Sequence, residues 1–291
     1  MEKMKKTDEP QLVSGCMRWG KWGKQLSKEQ MASLINDLIE NGIHFFDHAD
    51  IYGEYTTEAE FGNAVKYLGM ARQNYHICTK LGLQIPGEKR RTNIKHYQYD
   101  HDHIINSVNS SISKLDCEHI DALLLHRPSP LMNEMKVVQA INELKKAGRI
   151  RLFGVSNWNA FQLETMLSYT DIAFNQIELS LTNSNALENG TIDKMKEFGI
   201  KLMAWKPLGD LYQRNKDDKL VKAVDLIAYK YQVSSSTIMI NWLLQLPLPV
   251  YPVFGSTNIE RIKEMQKAYT FNINREEWFY LWEMARGKEV D

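Results

Sequence analysis

Residues 45–53 read Phe45-Phe46-Asp47-His48-Ala49-Asp50-Ile51-Tyr52-Gly53, and the reading of this stretch decides the fold. With Gly42-Ile43-His44 before it, 42–46 is a short apolar run between a helical pattern and a turn. That pattern predicts a buried strand ending at Asp47, with Tyr52 in the loop beyond. In a parallel α/β sheet the chemistry gathers at the C-terminal ends of the strands. A carboxylate and a phenol would then share one mouth.

Upstream of this stretch, Ser27 reads as a helix N-cap. Met31, Leu34, Ile35, Leu38 and Ile39 follow at helical spacing until Asn41-Gly42 ends the helix. Before it, a short strand over 12–18 leads into Trp19-Gly20-Lys21-Trp22-Gly23, read either as a loop at a pocket edge or as a packed surface loop. Downstream, strands over 75–80, 120–126, 150–156, 172–176 and 200–205 alternate with helices over 54–68, 103–115, 133–147, 160–167 and 191–198. Two helices over 219–231 and 236–246 precede a last strand over 250–254, and helices over 258–267 and 275–285 follow it. Together with 12–18 this makes eight strands.

Eight strands alternating with helices, with no break between domains, predict an α/β fold of the closed (β/α)₈ TIM-barrel type. It would form a single domain over 1–291 with residues 1–10 as a flexible N-terminus. An open dinucleotide-binding sheet has no support, because no G-x-G-x-x-G or Walker loop follows a strand. The connection over 81–100 is long and carries Lys89-Arg90-Arg91, His96, Tyr97 and Tyr99; connections of that length are functional or mobile.

Of the 291 residues, 43% are apolar and 25% charged, which suits a large core. The 36 basic and 36 acidic residues balance, leaving no electrostatic footprint for nucleic acid or an anionic membrane surface. A small molecule is the expected partner, and the sequence leaves the oligomeric state open. Cys16, Cys78 and Cys117 are widely spaced and suggest neither a disulfide framework nor a zinc site. With no signal-peptide pattern and no apolar run near about 18 residues, the expected location is cytoplasmic.

In this layout the polar residues closing apolar strands fall together: Asp47, Lys80, His126, Ser156 with Asn157, and Gln176. A phenol donates a proton at neutral pH only if its phenolate is stabilised, and a lysine ammonium does that. A buried lysine needs a counter-ion, which Asp47 supplies. A histidine beside the phenol can bind a substrate oxygen or relay a proton. An acid aimed at an oxygen suggests addition to a carbonyl.

Phe46-Asp47-His48-Ala49-Asp50-Ile51-Tyr52-Gly53 resembles the aldo-keto reductase signature F-D-T-A-x-x-Y-G, with Lys80 and His126 ending the next two strands. Gly154-Val155-Ser156-Asn157, Gln176, Trp205-Lys206-Pro207-Leu208-Gly209 and Gly255-Ser256-Thr257 through Arg261-Ile262 match later motifs of that family in order. The resemblance implies an NADPH-linked carbonyl reductase acting on an aldehyde, ketone or quinone, with Tyr52 as proton donor, Lys80 lowering its pKa, Asp47 holding Lys80 and His126 orienting the carbonyl. It further implies that Ser156, Asn157 and Gln176 hydrogen-bond the nicotinamide carboxamide while Trp205 stacks on its ring, and that Met17 and Arg18 also contact the cofactor. Lys206, Pro207, Leu208 and Gly209 would cover the pyrophosphate, and Gly255, Ser256, Thr257, Arg261 and Glu264 would meet the adenosine 2′-phosphate end, NADPH being preferred to NADH.

The sequence departs from the family pattern in places. His48 replaces the signature threonine, Gly255 stands where many relatives have lysine, and Met265 replaces an asparagine. Arg127 stands where many relatives have tryptophan, and the long C-terminal loop of some members is expected to be absent. Trp19, Trp22, Tyr55, Arg127 and Trp158 are then the candidate substrate pocket.

Three other readings compete. A cofactor-binding regulatory subunit of the channel β-subunit type would use the same residues with slow turnover. Metal-dependent hydrolysis through His44, Asp47 and His48 fails on strand geometry, because Asp47 faces away from the other two. Cys78 shares the Lys80 face of its strand and is expected to be a buried interior residue instead of a redox sensor. Lys89-Arg90-Arg91 reads as a solvated loop.

Overall fold

A computed structural model describes residues 11–87 and 92–290. The proposed flexible N-terminus, 1–10, and the Lys89-Arg90-Arg91 cluster lie outside the described residues. Ten strands are present among those described: β1 (Val13–Gly15), β2 (Phe45–Asp47), β3 (His76–Leu81), β4 (Leu83–Gln84), β5 (His96–Tyr97), β6 (Ile120–Leu125), β7 (Ile150–Ser156), β8 (Phe174–Glu178), β9 (Lys201–Trp205) and β10 (Val250–Phe254). Eight of them close a parallel barrel in the order β1-β2-β3-β6-β7-β8-β9-β10, with β10 pairing back onto β1. The fold is the (β/α)₈ barrel that the strand count predicts.

Side chains alternate across each strand, and that period of two builds the site. Phe45 on β2, Cys78 on β3, Leu124 on β6, Phe174 on β8, Met203 on β9 and Tyr251 on β10 fill the barrel interior. Phe45, Phe174 and Tyr251 meet edge to face, with centroids 5.6–6.4 Å apart. One inward position further along the same strands stand Asp47, Lys80, His126, Gln176 and Trp205. The polar mouth is thus the next layer of an apolar stack. Gly154 makes room for it: a Cβ there would lie 2.5 Å from Leu124 Cδ2 and 2.7 Å from the Phe174 carbonyl. Cys78 is fully buried inside the barrel, as expected, and burial pushes its thiol well above the usual range.

The outward faces of the strands pack on helices whose ends follow the capping chemistry. Ser27 and Gln30 form a reciprocal capping box at Lys28–Glu40. The helices at Ala160–Leu167 and Lys219–Tyr231 have the predicted limits.

Three stretches differ from expectation. The first strand stops at Gly15, because the chain then turns to bury Trp19 against Phe46 and Phe61. The predicted 54–68 helix begins at Thr57, since Gly53, Glu54 and Tyr55 have φ of 60°, 57° and 71°. Such left-handed residues cannot propagate a right-handed helix. The connection over 81–100 contains the antiparallel β4–β5 pair, with Leu83 opposite Tyr97 and Gln84 opposite His96.

Candidate active site

The site is built around a buried lysine. Lys80 ends the inward row of β3 and is 1% exposed. Its Nζ donates to Asp47 Oδ1 at 2.7 Å, Asp47 Oδ2 at 2.9 Å, the His48 carbonyl at 2.7 Å and the Tyr52 hydroxyl at 3.1 Å. Burial opposes its charge, but Asp47 and then Tyr52 outweigh that and hold its pKa above the ordinary lysine value. The ammonium therefore persists at neutral pH.

Asp47 is held on its other side by Gln176, whose Nε2 donates to Oδ1 at 2.9 Å. Gln176 joins the charged core through this bond, a role that its expected place beside the nicotinamide carboxamide did not include. Its own backbone carbonyl accepts from Ser156 Oγ at 2.9 Å; Ser156 Oγ accepts from Asn157 Nδ2 at 2.7 Å, and Asn157 Oδ1 accepts from Trp205 Nε1 at 3.0 Å. One hydrogen-bonded chain thus runs from the Asp47 carboxylate to the Trp205 indole and fixes its plane. Asn157 and Lys206, each just past a strand end, have φ of 62° and 54°. Left-handed non-glycine residues of this kind cluster at functional sites.

Tyr52 lies over this pair, nearly buried, with its ring 6.2 Å and edge-on from both His126 and Trp22. Burial pushes its hydroxyl up to about 12, against the downward pull of Lys80. The expectation that Lys80 lowers this pKa therefore holds for the ion's own effect and not for the net value, because desolvation of the phenolate is larger. The result is a phenol that stays protonated throughout the neutral range.

Burial, then Lys80, Arg127 and Lys95, push His126 well below its ordinary value, so the ring is neutral. Its Nδ1 has no hydrogen-bond partner among the described residues. His48, in the place of the signature threonine, is completely buried edge-on to Phe61, with centroids 4.5 Å apart, and burial drops its pKa to about 3. The His44 Nδ1 lies 3.0 Å from the Asn74 carbonyl. These two histidines and Asp47 do not converge on a common point.

The remaining candidate cofactor residues follow the ends of β1, β9 and β10. Met17 and Arg18 are exposed just past β1. Lys206 Nζ lies 3.4 Å from Glu178 Oε1 at the ends of β9 and β8. Pro207 and Leu208 lead to Gly209, where φ is 54° and a Cβ would strike Thr182 Oγ1. Gly255, Ser256 and Thr257 follow β10, and Asn258 caps the helix Ile259–Gln266 by accepting from the Arg261 N–H at 3.0 Å. Space beside Gly255 is open, Arg261 is exposed, and Glu264 pairs with Lys267.

The candidate substrate pocket divides. Trp22 stands at the mouth against Tyr52, and Arg127 is half-buried behind His126. Trp19 is a core residue, fully buried behind β2, and does not line the pocket. Tyr55 is also buried, its hydroxyl committed to the backbone of Ile85. Trp158 is buried and its backbone N–H lies 3.4 Å from Asn175 Oδ1.

Sequence reasoning missed one supporting group. Thr79, on the outward face beside Lys80, donates to Glu58 Oε1 at 2.7 Å, and Ser111 donates to Glu58 Oε2 at 3.1 Å. This buried carboxylate ties β3 to two helices. Its only signal is an acidic residue on a helix face that is otherwise apolar.

The chain is 35% identical over 289 residues to "Oxidoreductase YdhF" of Escherichia coli, covering 96% of this chain and 94% of that protein. It is 33% identical over 291 residues to a 6-dehydroglucose reductase of Agrobacterium fabrum, covering 98% and 97%. Among solved structures, the glycerol dehydrogenase AKR11B4 from Gluconobacter oxydans superposes with a TM-score of 0.83 at 19% identity, covering 96% of this chain and 93% of that one, a likeness of fold. The family model described as "Aldo/keto reductase family" matches residues 11–286. With a barrel of this topology and relatives of this identity along nearly its whole length, the chain belongs to the aldo/keto reductase family.

Proposed function

We propose that this protein is an NADPH-dependent reductase that converts an aldehyde, ketone or quinone carbonyl to the corresponding alcohol, with Tyr52 as general acid. The observation that carries this reading is the Tyr52 hydroxyl 3.1 Å from Lys80 Nζ, itself held by both oxygens of Asp47. A protonated phenol backed by a fixed cation is suited to give its proton to an oxygen gaining negative charge, because the ammonium stabilises the phenolate left behind. Neutral His126 offers an N–H to the same oxygen.

The residues present suit a dinucleotide. The pinned, half-buried indole of Trp205 offers a flat face, and the open backbone at Gly255 leads into a helix start, where backbone amides and the helix dipole favour an anion. Arg261 on the first turn of that helix makes no ion pair among the described residues. When bound, the nicotinamide supplies the hydride; the proton comes from Tyr52, so one carbonyl and one reduced cofactor give one alcohol. The name of the Agrobacterium relative supports a carbonyl on a sugar as one substrate class to try. Formation of one alcohol per NADPH oxidised tests the reading; carbonyl consumption without matching NADPH loss would sink it.

Cofactor choice is tested separately. Arg261→Ala is expected to weaken NADPH by about 10-fold or more, the scale of one charge-assisted phosphate contact, and to leave NADH within about twofold. Titration with each cofactor checks this. Equal weakening of both would place Arg261 outside the recognition of the 2′-phosphate.

A further inference from the structure

The turn between Tyr52 and the helix Thr57–Leu68 is held in a conformation that a chain avoids when left alone. Gly53, Glu54 and Tyr55 run through the left-handed region with φ of 60°, 57° and 71°, where residues with a side chain are disfavoured. Such a run persists only where its surroundings fix both ends. Before it, the Asp50 N–H donates to the Lys80 carbonyl at 2.9 Å, continuing the pairing of β2 with β3. After it stand Thr57 and Glu58, the first two residues of the helix, both buried.

These two residues grip in opposite directions. Thr57 packs back onto the turn: a Cβ at Gly53 would lie 2.4 Å from Thr57 Oγ1 and 2.8 Å from Thr56 Oγ1, which itself donates to the Gly53 carbonyl at 2.8 Å. Glu58 reaches across to the strand that carries the lysine. Its Oε1 accepts from Thr79 Oγ1 at 2.7 Å, while its Oε2 accepts from Ser111 Oγ at 3.1 Å and lies 3.9 Å from Lys114 Nζ. Both oxygens are engaged at 1% exposure, so the carboxylate cannot turn without leaving a buried polar group unpaired. Thr79 and Lys80 are consecutive and point to opposite faces of β3. A hydrogen bond on the outward face therefore fixes the inward one.

The 3.1 Å contact between Tyr52 and Lys80 thus closes a ring. It runs from Tyr52 through the left-handed turn to Glu58, across to Thr79, and through one peptide back to Lys80. We propose that Glu58 is a positioning residue for proton donation: by tying the helix start to Thr79 it holds the turn closed and sets the Tyr52 hydroxyl against the ammonium. The proposal rests on the reductase reading above, in which that distance governs the chemical step. Ser111 and Lys114, on the helix His101–Lys114, share the carboxylate but lie outside the ring.

The test takes one hydrogen bond at a time from the same carboxylate. Thr79→Val keeps the shape and removes the bond to β3; Ser111→Ala removes the bond to the other helix. With NADPH and para-nitrobenzaldehyde, kcat is expected to fall about 10-fold in Thr79→Val while the Kd for NADPH stays within about twofold. A displaced proton donor is felt in the chemical step and not in cofactor binding. Thr79→Ser, which restores the hydroxyl, should bring kcat back to within about twofold of wild type, and Ser111→Ala should remain there. In the Lys80→Met background, Thr79→Val should cost less than about twofold more, since no contact is left to misplace. A kcat unchanged by Thr79→Val, an equal loss in both backgrounds, or an equal loss in Ser111→Ala would each overturn the proposal. If Thr79→Val does not fold, Glu58→Asp, one carbon shorter with its charge kept beside Lys114, decides on the same terms. A wild-type chain that reduces no aldehyde would refute the reductase reading instead. The tie is then read without turnover from the Lys80 ammonium protons by NMR at about pH 7, whose exchange with water should quicken in Thr79→Val and not in Ser111→Ala. Unchanged exchange in Thr79→Val would overturn it.

Discussion

Tyr52→Phe is expected to bind NADPH as the wild type does while losing about 10²–10⁴ in turnover, the range that a positioned general acid contributes. The phenyl ring keeps the edge-on contacts with His126 and Trp22, so the wall of the site survives and only the proton source is removed. Steady-state reduction of a reactive aldehyde, with NADPH titrated by fluorescence, separates the two effects. A variant with near-native kcat would require another donor. The same phenol sets the pH behaviour. Because burial pushes it up to about 12 and holds His126 neutral, reduction should run level between about pH 6 and 9 and fall only as the phenol begins to ionise. A rate that halves near pH 7 would point to a different titrating group.

Lys80→Met is expected to have an effect of similar size on turnover and a second effect on stability. Removing the ammonium leaves the Asp47 carboxylate buried, with the Gln176 amide still donating to it but no cation beside it. Breaking a buried ion pair from one side costs about 3–5 kcal/mol. Asp47→Asn combined with Lys80→Met removes the stranded charge, so denaturant unfolding should show the double variant more stable than Lys80→Met alone. Activity should not return, because the phenol still lacks its cation. If the double variant were no more stable than the single, the lysine's contribution would lie in packing and not in the pairing of charge.

The barrel and most of the mouth were legible in the sequence because one physical pattern wrote both. Apolar alternation along the strands ran up to a polar residue at the end of each, and closing the sheet brought Asp47, Lys80, His126 and Gln176 to one layer. What stayed hidden depended on contacts distant in sequence. No local pattern shows that Gln176 reaches back to Asp47, 129 positions away, or that Thr79 binds Glu58. The glycines and indoles of 19–23 suggested a pocket edge. Trp22 lies at one, whereas Trp19 turns inward because Phe46 and Phe61 offer it an apolar niche. The β4–β5 pair was missed for a similar reason: its strands, of two residues each, are too short for alternation to register.

In the reading proposed above, the buried Lys80–Asp47 pair arms Tyr52 for repeated reduction of a carbonyl. The most direct test counts NADPH molecules oxidised per protein chain in the presence of excess aromatic aldehyde or ortho-quinone. Many per chain are expected, with the count collapsing in Tyr52→Phe. One equivalent of NADPH bound and none consumed beyond it would rule out a reductase and favour a cofactor-binding regulatory subunit.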